Sequence, residues 1–261
     1  MKWFLVALCI IWVNSLDLED NEDQLGDGLP ELYDGDMLLT PEQKRILSLD
    51  GKDLWRVAHR NFAQRWPNKI VPYVYGAGPI DGLTKDENKK VREAMRYIES
   101  KTCVKFRPRQ GQRDHLIIMK GRPGCWANVG RARFAKVNLN GPWCLTRGPI
   151  VHELVHVLGF GHAHQAPNRD DYIDIKWENV KDSEKSHLTK LSSKDWTMLS
   201  LPYDYDSLMH YRPNAHSANG KDTIVPKKPR VPEKRGSGTL SELDILRINR
   251  YYDCPPVEEK H

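Results

Sequence analysis

Residues 152–162 read His-Glu-Leu-Val-His-Val-Leu-Gly-Phe-Gly-His. On a helix, His152 and His156 lie one turn apart on the same face, so both imidazoles can reach a single ion. Glu153 stands beside them, where it can take a proton from a water that the ion activates. Gly159 lets the chain leave the helix sharply and bring His162 round as a third donor. Three neutral nitrogens with an open coordination position make a catalytic zinc site and not a structural one, so one zinc per chain is expected. Five fixed positions, three of them a rare residue type, set this stretch apart from a helix that merely carries histidines.

Such donors need a rigid support. The zinc helix is expected to begin near Pro149 or Ile150 and to stop at Gly159. A further helix is predicted over 85–100, where Thr84 and Glu87 form a capping box and Val91, Ala94, Met95 and Ile98 recur on one face. The stretches 69–76, 104–109, 115–121 and 135–140 alternate as strands. A last helix follows Ser241, with Asp244 in its first turn and Leu243, Leu246 and Tyr251 as buried candidates. Residues 16–50 carry turn signals without sustained periodicity and are expected to be extended or loop. Residues 226–238 are rich in Pro, Gly, Lys and Arg and read as a solvated surface loop, because no nucleic-acid module surrounds them.

The 261 residues, 39% hydrophobic and 29% charged, suit an ordinary globular protein and argue against collagen-like, coiled-coil or wholly disordered chains. The long apolar run at 3–13 follows Lys2, is too short to span a bilayer and precedes Asn14-Ser15, which predicts a secretory signal over 1–15. Without Cys9 four cysteines remain, so two disulfides are expected in an oxidising compartment, and spacing leaves all three pairings open. No Asn-x-Ser/Thr sequon is present. Charge is divided unevenly. Residues 1–60 hold 6 Lys/Arg against 12 Asp/Glu, and the remainder carries net +11 within a total of +5. An acidic prosegment over 16–60, held partly by charge against a basic body and cut near His59-Arg60, fits that split; composition by itself favours a disordered acidic linker.

The pattern HExxHxxGxxH, with the methionine turn Ser207-Leu208-Met209-His210-Tyr211 about fifty residues on, resembles the metzincin peptidases. Gly161 and Phe160 before the third histidine, Arg169-Asp170-x-Tyr172, and Gly124-Cys125-Trp126-x-x-Val129-Gly130-Arg131 make the chain similar to the astacin family over essentially all of 61–261. That resemblance implies a two-lobed α+β fold: a twisted mixed sheet with two helices in the N-terminal lobe, and a mostly irregular C-terminal lobe with a terminal helix. It implies His152, His156 and His162 as zinc ligands, Glu153 as general base, and Tyr211 as a resting ligand that swings away to stabilise the oxyanion. Met209 would form an apolar floor. Cys103 would pair with Cys254 and Cys125 with Cys144. Cys125, Trp126, Ala127 and Asn128 would lie on an edge strand that binds extended substrate antiparallel. Tyr33-Asp34-Gly35-Asp36-Met37 resembles the prosegment motif whose last Asp, here Asp36, sits on the metal in place of water.

The resemblance therefore implies a secreted zinc endopeptidase made as a zymogen. Its partners would be protein or peptide substrates and an activating protease, with no nucleic acid or membrane, and a monomer is expected. No added binding module is expected after Cys254. A silent binding protein that keeps zinc for structure is the rival reading, disfavoured because neither base nor ligand is missing. Two positions depart from the family. Ala163 stands where a Glu usually docks the new N-terminus, and Ala166 where an Arg is usual. His164 is expected at the surface or packed behind the ligands. Arg212, Lys221, Lys227 and Lys228 suggest acidic residues just after the scissile bond.

Overall fold

The computed structural model describes residues 31–48, 65–78, 81–191, 199–228 and 238–256. The expected signal over 1–15, the bond after Arg60 and the new terminus at Asn61 lie outside these residues. The strands are β1 (Met37–Leu38), β2 (Ile70–Tyr75), β3 (Lys105–Pro108), β4 (His115–Met119), β5 (Gly124–Asn128) and β6 (Phe134–Asn140), with β-branched and aromatic residues most frequent in β2. They make one mixed sheet in the order β1-β5-β6-β4-β2-β3. β2 pairs parallel with β3 and β4, and β4 parallel with β6, whereas β5 runs antiparallel to β6. β1 comes from the acidic front of the chain and lies parallel on the outer edge of β5.

One correction arises in that front segment. Expected as loop, it carries helix α1 (Pro41–Ser48). The Thr40 amide donates to Gln43 Oε1 at 2.8 Å and the Gln43 amide to Thr40 Oγ1 at 3.2 Å. That is a capping box with Pro41 at the first helical position, a local signal that works without hydrophobic periodicity.

Helix α2 (Lys85–Lys101) follows its sequence pattern, with both capping-box bonds at Thr84 present and Val91, Ala94, Met95 and Ile98 buried against the sheet. Helix α3 (Arg147–Val157) starts two residues before the expected Pro149 and from Ile150 onward is buried on nearly every side, Glu153 and His156 included. The carbonyls left free at its C-terminal end are satisfied from both ends of the chain. Trp66 Nε1 donates to Val157 O at 2.8 Å and Tyr252 Oη to Leu158 O at 3.0 Å. Gly159 then turns with φ +103°, and a Cβ there would meet the Tyr251 ring at 3.3 Å. Gly159→Ala is expected to cost about 1–3 kcal/mol, read as a lowered denaturation midpoint; an unchanged midpoint would show that the turn is not under this constraint.

Two apolar clusters correspond to the two lobes. The first joins the sheet, α2 and α3; the second gathers Ala166, Ile173, Val180, Leu188, Tyr203 and Ile224. The second is built from short 3-10 turns around the antiparallel pair β7 (Ile173–Ile175) and β8 (Ile224–Pro226). Within it Tyr172 stacks on Tyr203 with centroids 4.8 Å apart, and buried Arg169 donates to His164 O and Leu188 O. The terminal helix α4 (Glu242–Tyr251) begins with a Ser241–Asp244 capping box. Its inner face differs from expectation: Leu246 is 48% exposed, while Asp244 and Ile248 are buried. Ile248 and Tyr252 also join the first cluster, so this helix, expected to belong with the lower lobe, packs on the sheet lobe's core. The disulfides are Cys103–Cys254, which ties the segment after α4 to the end of α2, and Cys125–Cys144. No described helix is long and apolar enough to cross a membrane.

Candidate active site

α3 presents His152 and His156 on one face, and the turn at Gly159 returns His162 beside them. Their Nε2 atoms face one another, His152 lying 3.1 Å from His156 and 3.3 Å from His162. The opposite nitrogens are held from behind. His152 Nδ1 bonds Leu208 O at 3.1 Å, His156 Nδ1 bonds Phe160 O at 2.7 Å, and His162 Nδ1 bonds the Asp34 carboxylate. Acceptors on all three Nδ1 atoms fix the tautomer and turn three Nε2 lone pairs inward, the donor chemistry that zinc takes from histidine.

The Asp36 carboxylate closes the fourth side. Oδ2 is 3.2 Å from His152 Nε2, and Oδ1 is 3.2 Å from His162 Nε2 and 3.5 Å from His156 Nε2. Burial pushes the Asp36 carboxyl up, but His162, His156 and the bond from His152 outweigh it and hold the group well below the usual carboxylate range. His162 responds in the opposite sense: burial opposes its charge, yet Asp36 and Asp34 lift its pKa to about 10. Carboxylates converging on imidazoles thus demand positive charge, which a divalent cation on the three nitrogens also supplies. The donors therefore fit zinc.

Glu153 is 2% exposed. Burial, then the charge of Asp36, pushes its carboxyl well above its ordinary value, and its Oε2 has no hydrogen-bond partner among the described residues. Tyr211 faces the front segment of the chain. In this form its hydroxyl donates to the main-chain carbonyl of Asp34 at 2.5 Å, and the Asp36 carboxylate, not the phenol, faces the nitrogens. Met209 is buried, and its carbonyl accepts from the Ala163 amide at 2.9 Å.

β5 lies where an edge strand for substrate is expected, but β1 holds that edge. Met37 pairs with Ala127 and Leu38 with Asn128; the Ala127 amide donates to Asp36 O at 2.9 Å, and Asn128 Nδ2 to Leu38 O at 2.8 Å. Gln43 Nε2 of α1 adds a bond to Val129 O at 2.8 Å. The segment runs parallel to β5, opposite to the direction expected of substrate.

His164 proves fully buried, packed behind the ligands, its ring stacked on Tyr211 with centroids 4.0 Å apart. Ala163 and Ala166 line a small cavity together with Met209, Asp204, Asp244 and Arg247. Arg247 Nη1 lies 3.6 Å from Asp204 and 3.7 Å from Asp244, so these carboxylates already face a cation. Arg212, Lys221, Lys227 and Lys228 are exposed, with Lys227 paired to Asp174 at 3.5 Å.

Several contacts escaped the sequence reading. Ser207 Oγ donates to Asp244 Oδ1 at 2.6 Å and the Leu208 amide to Asp244 Oδ2 at 2.8 Å, so the carboxylate that caps α4 also pins the methionine turn whose carbonyl orients His152. Asp34 was visible inside its motif without a role. His187 and His216 carried no local signal at all.

Fold and centre together define the class, a two-lobed zinc metallopeptidase domain. A family model described as Astacin, a family of peptidases, matches residues 58–253. The chain is 34% identical over 244 residues to Protein SpAN of Strongylocentrotus purpuratus, covering 88% of this chain and 39% of that protein. It is 34% identical over 225 residues to Zinc metalloproteinase nas-4 of Caenorhabditis elegans, covering 86% and 70%. Among solved structures, High choriolytic enzyme 1, a hatching enzyme zinc-protease from Oryzias latipes, matches with a TM-score of 0.65 at 34% identity, over 73% of this chain and 94% of that one. The chain belongs to the astacin family. It spans about two-fifths of the length of the sea-urchin relative.

Proposed function

We propose that this chain is a secreted zinc endopeptidase made as a zymogen, with 1–15 as signal, 16–60 as prosegment and 61–261 as catalytic domain. The observation that carries the reading is the convergence of Asp36 on three inward-facing histidine nitrogens beside a buried glutamate. His152, His156 and His162 would hold zinc, which supplies Lewis-acid polarisation of the scissile carbonyl and acidifies water. Glu153 takes the proton from the attacking water and later gives it to the leaving amine, a task suited to a carboxyl whose burial raises its affinity for protons. Tyr211, freed from Asp34, donates its hydroxyl to the oxyanion; burial, then the nearby carboxylates, keep it protonated. The edge of β5 receives an extended peptide once β1 has left.

Secretion is supported by the apolar run at the start of the chain and by two disulfides, which persist in oxidising compartments. Latency is supported by β1 and Asp36 lying across the site. The test is hydrolysis of casein or gelatin by the chain cut after Arg60. Activity is expected to disappear with a zinc chelator and return with added zinc, while a zinc-loaded chain that binds peptide without cutting it would favour the silent binding protein.

A further inference from the structure

Of the net +11 carried by residues 61–261, net +9 falls within 103–152, which hold 10 Lys and Arg against 1 acidic residue, Asp114. That stretch is β3 to β6 and the start of α3. The fold gathers much of its charge. Pro108, Tyr73, Leu116 and Ala135 lie abreast in the register of β3, β2, β4 and β6, so residues 107–113 and 131–134 meet along one rim of the sheet. Arg131 Nη1 donates to Asp114 Oδ2 at 2.5 Å, and the His115 ring meets Phe134 edge-on with centroids 5.4 Å apart. Alternation along the strands turns the cations outward. Phe106, Leu116 and Ala135 are buried in the core, whereas Arg107 and Phe134 on the opposite face are exposed, as are Arg109, Arg113 and Arg133 in the loops. Glu99 pairs with Arg107 at 2.9 Å and Asp114 with Arg131, which leaves the cations in excess. Three strand spacings of about 4.8 Å make the row from Phe134 to Arg107 about 14 Å wide.

Peptide hydrolysis does not account for this rim. β1 lies beyond β5, at the opposite edge of the sheet from β3, and the Asp36 carboxylate is met by histidines. We propose that the rim binds a linear sulfated polysaccharide lying across the strands from Arg133 to Arg107. Arg107, Arg109, Arg113, Arg131 and Arg133 present planar forks of donors that match the oxygens of a sulfate two at a time, where lysine offers only a point charge. A row of cations on a rigid sheet suits a ligand whose charges repeat along a line. Phe134 is 46% exposed, with the Arg133 guanidinium 5.3 Å from its ring centre, and offers one apolar face to a sugar ring. That is too little apolar area to enter a lipid interface. The choice of a polysaccharide over nucleic acid rests on the secretion reading; the cationic rim does not. A chain bound this way is held on a sulfated matrix while the β5 edge, outside the row, stays open to substrate.

The zinc-loaded chain cut after Arg60 is titrated over a range of salt with heparin and with hyaluronan, which carries carboxylates but no sulfate. Heparin should bind the tighter, its log K falling against log salt with a slope of about three or more, roughly one per ion contact. Arg109→Ala, Arg113→Ala and Arg133→Ala combined should lower that slope by about three and weaken binding at low salt by about tenfold or more. Lys85, Lys89 and Lys90 are exposed on α2, and changing all three to Ala removes equal charge elsewhere. That variant should keep a slope within about one of wild type. Denaturation midpoint and turnover of a short peptide should be unchanged in both. The comparison of heparin with hyaluronan is decisive by itself if the rim variant does not fold. Equal affinity for hyaluronan, an equal loss from the α2 variant, or tighter binding of duplex DNA or phosphatidylserine vesicles than of heparin overturns the inference. A chain that binds heparin but never reaches the medium of expressing cells defeats the secretion reading and not the binding.

Discussion

Glu153→Gln should leave about one zinc per chain bound while lowering peptide turnover by about 10²- to 10⁴-fold, the range for losing a general acid–base group. The substitution keeps the shape of a side chain packed inside α3 and spares the three histidines, so folding and metal content should persist. What it removes is proton affinity. The carboxyl is raised by burial and by Asp36, and removing the prosegment withdraws the second of these causes, so the mature group should titrate lower than the latent one. The shift is upward from the ordinary value, so the protonated form is the one the latent site favours over a wider pH range, and ionisation sets in later as pH rises. Measured zinc content and single-turnover cleavage of one peptide check the expectation. Turnover within tenfold of wild type would assign the base to another residue.

Asp36→Ala in the uncut chain should turn a latent protein into one with measurable activity. The side chain faces three imidazoles in a largely buried setting, and removing one partner of such an ionic contact costs about 3–5 kcal/mol of the interaction. β1, Asp34 and α1 would still hold the segment, so activity should rise by about a hundredfold over the wild-type background and rise again on cutting after Arg60. Mature forms extended by one or two residues should remain active, because Ala163 offers no carboxylate for a new amine and Arg247 already faces Asp204 and Asp244. Casein hydrolysis by purified, uncut protein measures the first effect. Complete latency of Asp36→Ala, or inactive extended forms, would place the switch elsewhere.

How far the site could be read from residues depends on whether each contact is local. His152, His156 and Glu153 are set by helical spacing, and the 85–100 helix by a capping box and a 3.6-residue repeat, so pattern and structure agree there. α1 was missed because its signal is a cap and not a stripe. Leu246 lies outward, against its residue type, because the bonds of Asp244 to Ser207 and the Leu208 amide draw the other side of α4 inward. His187 comes to Asp34 from a 3-10 segment and His216 stacks on His187 from a turn, where no periodicity ties position in the chain to position in space. Their role depends on tertiary contacts, and only the folded chain displays them.

The three attachments of Asp244 couple the terminal helix to the histidine cluster thermodynamically. One carboxylate starts α4, holds Ser207 and the Leu208 amide, and so governs the carbonyl that aims His152. Anything that binds only when those nitrogens converge therefore draws part of its free energy from a well-formed terminal helix, and by linkage returns it as added order there. A metal held by His152, His156 and His162 would in this sense be a remote clasp for the terminal helix, complementing the Cys103–Cys254 bridge that fastens the residues just beyond it. Fraying of the last helix and loss of metal become coupled equilibria.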